Sequence, residues 1–367
     1  MSKAKVFFTD MRCDFDHNLL DKLEALIREA GIGQIDFKDK FTAIKIHFGE
    51  PGNLAFLRPN YAKVVADVVK NFGGRPFLTD CNTLYVGLRK NAVDHLETAY
   101  VNGYSPFSTG CHVIIGDGLK GTDEVEVPVD GELVNKAKIG RAVMDADIVI
   151  SLNHFKAHEC TGIGGALKNL GMGCGSFDGK KDMHEGGKPF VHKEKCAECG
   201  QCAQSCAHSA ISFDSVGKAG VDHSRCAGCG RCIGVCPVSA IEPDNEESFD
   251  MLNKKISEYA AAVVRGRPHF HITMVIDISP YCDCHSENDV ALVPDVGMLA
   301  SFDPVAIDMA AADLCNRQPT MPGSAIDGKQ RSADIFSTMH PETDYIVGID
   351  HGQKMGIGSK EYELIVL

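Results

Sequence analysis

The sequence lacks any apolar run long enough to cross a membrane, since no stretch approaches the ~20 apolar residues that a spanning helix needs. The N-terminus, MSKAKVFFTDMRCD, has no long apolar segment and no small-residue cleavage site, so we expect no secretory signal. Basic charge is also scarce: 37 Lys and Arg face 50 Asp and Glu, which gives a net charge of −13. These absences predict a protein without membrane or nucleic-acid partners.

Nucleotide-binding glycine motifs are missing as well. No G-x-G-x-x-G follows a predicted strand, so nicotinamide binding has no support. GIGGALK, residues 162–168, is not a Walker loop, which places lysine directly between its last glycine and Ser or Thr. These glycines precede a short predicted helix whose N-terminus could hold an anion with help from Lys168. The alternative is close backbone packing against another part of the chain.

What the sequence has is cysteine, sixteen in 367 residues. CAECGQCAQSC (196–206) and CAGCGRCIGVCP (226–237) share the spacing C-x2-C-x2-C-x3-C, and the repeat extends to the Ser-Ala-Ile that follows each, at an offset of 30. In such doubled motifs the fourth cysteine of each copy binds the other cluster. The spacing predicts one 4Fe–4S cluster on Cys196, Cys199, Cys202 and Cys236, and another on Cys226, Cys229, Cys232 and Cys206. Zinc, the alternative, gains nothing from crossed spacing.

These residues resemble the bacterial two-cluster ferredoxin over about 55 residues. One departure is Ala207, which stands where the second copy has Pro237. The resemblance implies a small α+β domain that carries two clusters and exchanges electrons with a donor or acceptor protein.

Around this module, strand-like and helix-like runs alternate. HNLLDKLEALIREAGIG and PNYAKVVADVVKNFGG are predicted helices that stop at glycine, a helix is expected near 138–145, and HFHITMVIDI is a predicted strand. Asp303 and Pro304 are typical of a helix start. The fold prediction is therefore α/β: a mostly parallel sheet with helices on both faces, interrupted by an inserted ferredoxin-like α+β domain. The expected domains are 1–187, 188–245 and 246–367.

Ligands of open parallel sheets bind beyond the carboxyl ends of the strands. Polar side chains follow several predicted strands there. His47 and His158 are candidates for proton transfer because imidazole titrates near neutrality. Lys45 and Lys168 are candidates for neutralising an anionic substrate.

DISPYCDCHSEND, residues 277–289, carries Cys282 and Cys284 after a strand-like run. If the strand continued through them, both thiols would point to the same side. Together with Cys160 or Cys174 they could bind a third metal or iron–sulfur centre. Two reduced cysteines without metal, or a labile disulfide, are the other interpretations.

The segments NHFKAHECTGIGGALKNLGMGCG, KIHFGEPGN and ISPYCDCHSENDVALVPDVGMLASFDPVAIDMAAADL resemble the iron–sulfur members of the family called domain of unknown function 362. The resemblance implies a ferredoxin inserted in an α/β domain and a redox context, but it names no substrate. We therefore expect an oxidoreductase that relays single electrons through two clusters to a small-molecule substrate or a third centre. The alternative is an electron carrier, or a metallocentre-maturation protein, that acts on a protein partner. Clusters and thiols together favour a reducing, anaerobic cytoplasm.

Overall fold

A computed structural model describes residues 3–243, 248–332 and 334–367. Its strands are β1 (Ala4–Asp10), β2 (Phe41–Lys45), β3 (Arg75–Asp80), β4 (His112–Ile115), β5 (Glu124–Pro128), β6 (Lys136–Gly140), β7 (Ile148–His154), β8 (Lys156–His158), β9 (Gly162–Gly164), β10 (Pro189–Val191), β11 (Ile211–Phe213), β12 (Ala219–Val221), β13 (Ile241–Pro243), β14 (His269–Val275), β15 (Gly297–Ser301) and β16 (Tyr362–Val366). Its α-helices are α1 (Leu19–Glu29), α2 (Pro59–Asn71), α3 (Ala92–Val101), α4 (Pro106–Thr109), α5 (Arg141–Asp145), α6 (Ala166–Cys174), α7 (Phe177–His184), α8 (Gln201–Gln204), α9 (Arg231–Gly234), α10 (Ser248–Val264), α11 (Pro304–Asn316), α12 (Ile335–Met339) and α13 (Tyr345–Lys354); a 3-10 turn spans Ile32–Gln34.

One eight-stranded sheet organises the molecule, in the order β16-β1-β15-β14-β7-β2-β3-β4. Neighbouring strands are parallel except at β15, which pairs antiparallel with both β1 and β14. The predicted α/β class with a mostly parallel sheet is confirmed. Because β14, β7, β2 and β3 run in the same direction, their carboxyl ends meet at one edge.

Each face of the sheet has its own core. Alternate residues of β7 point to opposite faces, as the period of two requires. Ile150 packs in one core with residues of α1 and α2, whereas Val149 belongs to the other core, with residues of α6, α10 and α11. Gly171 lets α6 approach α10 closely, since a Cβ there would lie 2.1 Å from the Ile256 carbonyl oxygen. The sheet is therefore covered on both faces, as expected.

Local signals located some helix boundaries correctly and misplaced others. Asp303 caps α11 by accepting the N–H groups of Val305 and Ala306, as predicted. The helix expected near 138–145 is wrong in its first part, where β6 continues through Gly140 before α5 begins. The reason is pairing: β6 forms an antiparallel ladder with β5, which supplies its backbone with hydrogen bonds that a helix would otherwise provide.

Residues 188–243, here called the inserted segment, lie between α7 and α10. They form two antiparallel strand pairs, β10 with β13 and β11 with β12, together with the four-residue helices α8 and α9. A small apolar cluster that includes Val191, Ala219 and Ile241 holds the segment together. The predicted boundary at residue 245 falls outside the described residues.

Among the residues that the structure describes, no helix combines the length and apolar character needed to cross a membrane.

Candidate functional site

Two adjoining cavities open at the carboxyl ends of β2, β3 and β7. The first is here called the cationic cavity, and its wall includes Lys45, Arg89, Lys156, Lys168, Lys180 and Cys282. The second is here called the thiol cavity, and its wall includes His158, Cys160, Cys229, Cys284, Lys168 and Lys180. Lys168 and Lys180 therefore border both.

Buried ion pairs fix the strand-end cations. Lys45 is 1% exposed, and its Nζ lies 3.0 Å from Asp80 Oδ1 and 2.8 Å from Asn169 Oδ1. Arg89 is fully buried, with Nε donating to Glu50 Oε2 at 2.9 Å. Burial raises the pKa of Asp80, but the neighbouring cations, of which Lys45 has the largest effect, bring it below its usual value. The carboxylate therefore stays charged inside the protein.

His47 lies beside these pairs, where its ring faces donors. The N–H of Gly49 donates to Nδ1 at 3.0 Å, and Arg89 Nη1 lies 3.0 Å from Nε2. Burial first, and then the charge of Arg89, hold the pKa of His47 well below 6.5. The ring therefore stays neutral near pH 7, and its part in proton transfer stays a prediction.

Cys282 and Cys284 lie in a turn. Strand β14 ends at Val275, and the N–H of His285 donates to the Cys282 carbonyl oxygen at 3.0 Å. The expectation that the pair continues a strand is wrong, because the chain turns at Asp277, whose φ is +45°. The turn still brings the two sulfurs and a ring nitrogen of His158 within 4.8 Å of one another.

The electrostatics of this pair are asymmetric. The pKa of Cys282 lies well below its usual value. It is lowered by the hydrogen bond from Cys284, by the Lys168 ammonium, whose Nζ lies 3.7 Å from the sulfur, and by a hydrogen bond with His158, although burial opposes all three. The pKa of Cys284 is raised by the hydrogen bond it donates and by burial. Cys282 is therefore the thiolate of the pair, and Cys284 keeps its proton.

His158 is oriented by the backbone. Its Nδ1 accepts the N–H of Cys160 at 3.1 Å, so in the neutral ring the proton resides on Nε2. A metal-binding histidine instead donates its second ring N–H to an acceptor. The geometry therefore suits an imidazole that hydrogen-bonds a thiolate better than one that ligates a metal.

Asp283, between the two cysteines, anchors their turn to the sheet. It is fully buried, and its carboxylate lies 2.9 Å from His154 Nδ1 and 3.1 Å from Lys156 Nζ. Burial raises the pKa of Asp283, but His154 and Lys156 bring it below its usual value. The two thiols are thus held by a charged side chain that points away from them into the body of the protein.

The four cysteines assigned to the first predicted cluster surround one hollow. Its wall includes Cys196, Cys199, Cys202 and Cys236. The N–H of Ala240 donates to Cys236 Sγ at 3.2 Å. The segment therefore places the fourth cysteine of the second copy with the loop of the first.

The second predicted set also draws on both copies. Cys226, Cys229 and Cys232 come from the second copy, and Cys206 comes from the first. Burial raises the pKa of all three second-copy thiols, and the nearby Cys206 thiol adds to the rise in each. In each set, three cysteines of one copy thus lie near the fourth cysteine of the other copy, as crossed ligation requires.

The second set faces the α/β body. Cys229 lines the thiol cavity, and a Cβ on Gly230 would lie 3.1 Å from Cys160 Sγ. Arg231 contacts the ring of His285, directly after Cys284, and its Nη2 lies 3.3 Å from Glu287 Oε1. Cys160 therefore stands between the inserted segment and the thiol pair.

Two other predicted site features have different surroundings. Cys174 is fully buried on the Lys45 side of α6, where its carbonyl accepts the Cys81 thiol and burial raises its pKa to about 11. The glycine-rich approach to α6 does not present a free helix N-terminus, because Asp308 accepts the N–H groups of Ala166 and Leu167 at 2.6 and 2.9 Å. Of the two interpretations of these glycines, the structure therefore favours close packing, here on α11, over an anion site at this helix end.

Sequence reasoning missed Arg89 and Lys180, although both line the cationic cavity. Lys180 lies on α7, and its Nζ donates to the Gly175 carbonyl oxygen. Arg89 lies in a loop nine residues after β3 ends. Neither stands in a motif, and only the folded arrangement brings them to the strand ends.

A family model described as "Domain of unknown function (DUF362)" matches residues 42–313. Among curated proteins, a thylakoid-associated protein of Synechocystis sp. is 28% identical over 124 residues, which are 34% of this chain and 35% of that protein. The match thus spans about a third of the relative's length.

Two solved structures show weak similarity. The lactate racemase apoprotein from Thermoanaerobacterium thermosaccharolyticum aligns with a TM-score of 0.36 and 11% identity, covering 74% of this chain and 51% of that one. A Thermotoga maritima protein from a structural genomics effort aligns with a TM-score of 0.38 and 12% identity, covering 70% and 50%. Each alignment spans about half of the solved chain.

Proposed function

We propose that this chain, which belongs to the DUF362 family, is an iron–sulfur oxidoreductase that carries single electrons through two 4Fe–4S clusters to the Cys282–Cys284 pair. One observation carries the proposal: Cys229, a predicted cluster ligand, lines the same cavity as Cys160, Cys284 and His158. The ligand loop therefore shares one cavity with Cys284, and Cys282 lines the adjoining cationic cavity.

The donor sets fit clusters better than single ions. A tetrahedral zinc site would draw its sulfurs to about 3.8 Å of one another. Within the described parts of the chain, none of the eight cysteines belongs to a group of three ligand atoms within 4.8 Å. The wider spacing and the N–H groups aimed at the sulfurs of Cys206 and Cys236 support a multi-atom cluster in each set.

When bound, such clusters supply one-electron transfer at low potential. This chain's own residues would convert single electrons into a two-electron reaction. Reduction of a Cys282–Cys284 disulfide breaks the S–S bond, consumes two electrons and one proton, and leaves a Cys282 thiolate and a Cys284 thiol. Lys168 stabilises that thiolate, and His158 orients it. A two-electron acceptor bound in the cleft would re-form the disulfide, and a one-electron donor protein would reduce it again.

The donor protein would dock where the first set reaches the surface. Phe213 and Val238 line this hollow, and they are 45% and 43% exposed. Val216, which is 68% exposed, lies three residues after Phe213, between β11 and β12. An apolar surface beside a cluster is also what an electron carrier or maturation protein would present to its target, and this is the second candidate function.

The test is anaerobic preparation of the full chain, followed by iron, sulfide and zinc analysis and by thiol counting before and after reduction. We expect about eight irons, no zinc, and two thiols that appear on reduction and map to Cys282 and Cys284. Iron-free protein would refute the proposal. Eight irons without any redox change in the pair would favour the carrier, and zinc or a ninth iron lost on alanine substitution of both cysteines would replace the dithiol with a metal centre.

A further inference from the structure

We propose that the cationic cavity binds the anionic group, carboxylate or phosphate, of a small substrate and holds it next to Cys282. The inference rests on the proposed function only in taking Cys282 as the reacting group. It names a ligand class for a cavity that the relay of electrons does not itself require.

The first argument is charge. Four cations in the cavity wall, Lys45, Arg89, Lys156 and Lys180, are at most 6% exposed. Carboxylates pair with the first three, through Asp80, Glu50 and Asp283. Among the described residues, neither Lys168 nor Lys180 forms an ion pair with a carboxylate. Lys168 is partly buried and has the Cys282 thiolate as its neighbour, whereas the buried charge of Lys180 has no carboxylate partner among the described residues. Such a buried charge is costly, and an anionic ligand would offset that cost.

The second argument is unmet hydrogen bonding. Arg89 Nη2 and Asn153 Oδ1 are buried without a hydrogen-bond partner, and both residues line this cavity. Asn153 is 3% exposed, and its Nδ2 already donates to the Ile272 carbonyl oxygen at 3.0 Å. One wall therefore offers a free donor and a free acceptor, which an oxyanion and a neighbouring hydroxyl or protonated group would satisfy.

The third argument is the position of Lys168. It borders both cavities and lies 3.7 Å from Cys282 Sγ. An anion that contacts Lys168 from the cationic cavity therefore lies within a few ångströms of the thiolate. The reactive atom of the substrate, attached to that anionic group, would face Cys282.

Two alkylating reagents of equal reach test the inference. Iodoacetate carries a negative charge and iodoacetamide does not, so their rate ratio at one thiol reports anion attraction separately from the reactivity of that thiol. Anaerobic, reduced holoprotein is treated with each, and peptide mass spectrometry reads Cys282 against the exposed Cys13. We expect the iodoacetate-to-iodoacetamide ratio at Cys282 to exceed that at Cys13 by about tenfold, the factor that about 1.4 kcal/mol produces.

Lys168→Gln should abolish most of this preference, whereas Lys181→Gln should leave it, because Lys181 is a half-exposed surface lysine on α7 that pairs with Asp178. Inorganic phosphate and acetate, added as competitors, show which oxyanion protects Cys282. Equal ratios at the two thiols would overturn the inference. If neither reagent reaches Cys282, calorimetric titration with phosphate and acetate decides, and failure of both to saturate one site per chain overturns it. Iron analysis of the same sample keeps this result separate from the fate of the redox proposal.

Discussion

Crossed ligation predicts different iron contents for two pairs of alanine substitutions. Cys196 and Cys236 line the same hollow, whereas Cys206 groups with the second-copy thiols. If each cluster needs all four of its ligands, Cys196→Ala with Cys236→Ala removes one cluster and leaves about four irons. Cys196→Ala with Cys206→Ala damages both clusters and leaves about none.

The assay is iron and sulfide analysis after anaerobic reconstitution, with the electron paramagnetic resonance of the reduced protein as a second readout. Cys13→Ala is the matched control, since Cys13 is exposed and lies outside both sets, and it should retain about eight irons. Circular dichroism confirms that the α/β body survives in every variant. The reverse pattern, with four irons in the 196/206 variant and none in the 196/236 variant, would show ligation within each copy and refute the geometric reasoning.

Two further predictions concern the thiol pair. The Lys168 ammonium helps to lower the pKa of Cys282, so Lys168→Gln should raise that pKa. The pH profile of iodoacetamide alkylation at Cys282 then moves to higher pH, and the rate at pH 7 falls. An unchanged profile would contradict the assignment of Cys282 as the thiolate. Asp283→Asn leaves Lys156 without its buried partner and should lower the free energy of unfolding by about 3 kcal/mol at pH 7, measured in denaturant. Because the pKa of Asp283 is depressed in the fold below 3.8, the contribution of this carboxylate is present above that pH and is lost as the pH falls through the folded pKa, so the difference should persist near neutrality and shrink only below pH 3.8.

Local chemistry made part of this fold predictable. Asp303 before Pro304 predicts a helix start with a side-chain acceptor and a preset φ, and α11 begins there. Paired strands were harder, because their hydrogen bonds come from distant residues. The helix expected near 138–145 failed for this reason, since β6 depends on β5.

In the candidate site, too, some features could be predicted from the sequence and others depend on contacts between distant residues. Polar residues after β2, β3 and β7 could be expected at one sheet edge, because parallel strands end together there. Asp308 could not be foreseen as the acceptor at the start of α6, since it lies on α11 and no sequence spacing relates the two. The sequence therefore left two interpretations of the glycines before α6, an anion site or close packing, and the structure shows that Gly165 admits a carboxylate of the chain itself.

The two copies of the cysteine repeat differ in a way that distinguishes the outer from the inner cluster of the proposed relay. Glu198 and Gly228 occupy equivalent positions, and both adopt a left-handed backbone, with φ of +59° and +73°. Glu198 is exposed, whereas a Cβ on Gly228 would lie 2.3 Å from the His184 carbonyl oxygen of the α/β body. Only in the copy that packs against the α/β body must this position therefore be glycine. The copy that tolerates a charged side chain remains open to solvent, so in the proposed relay a partner protein would reach the first set, and the second set would exchange electrons with the thiol cavity.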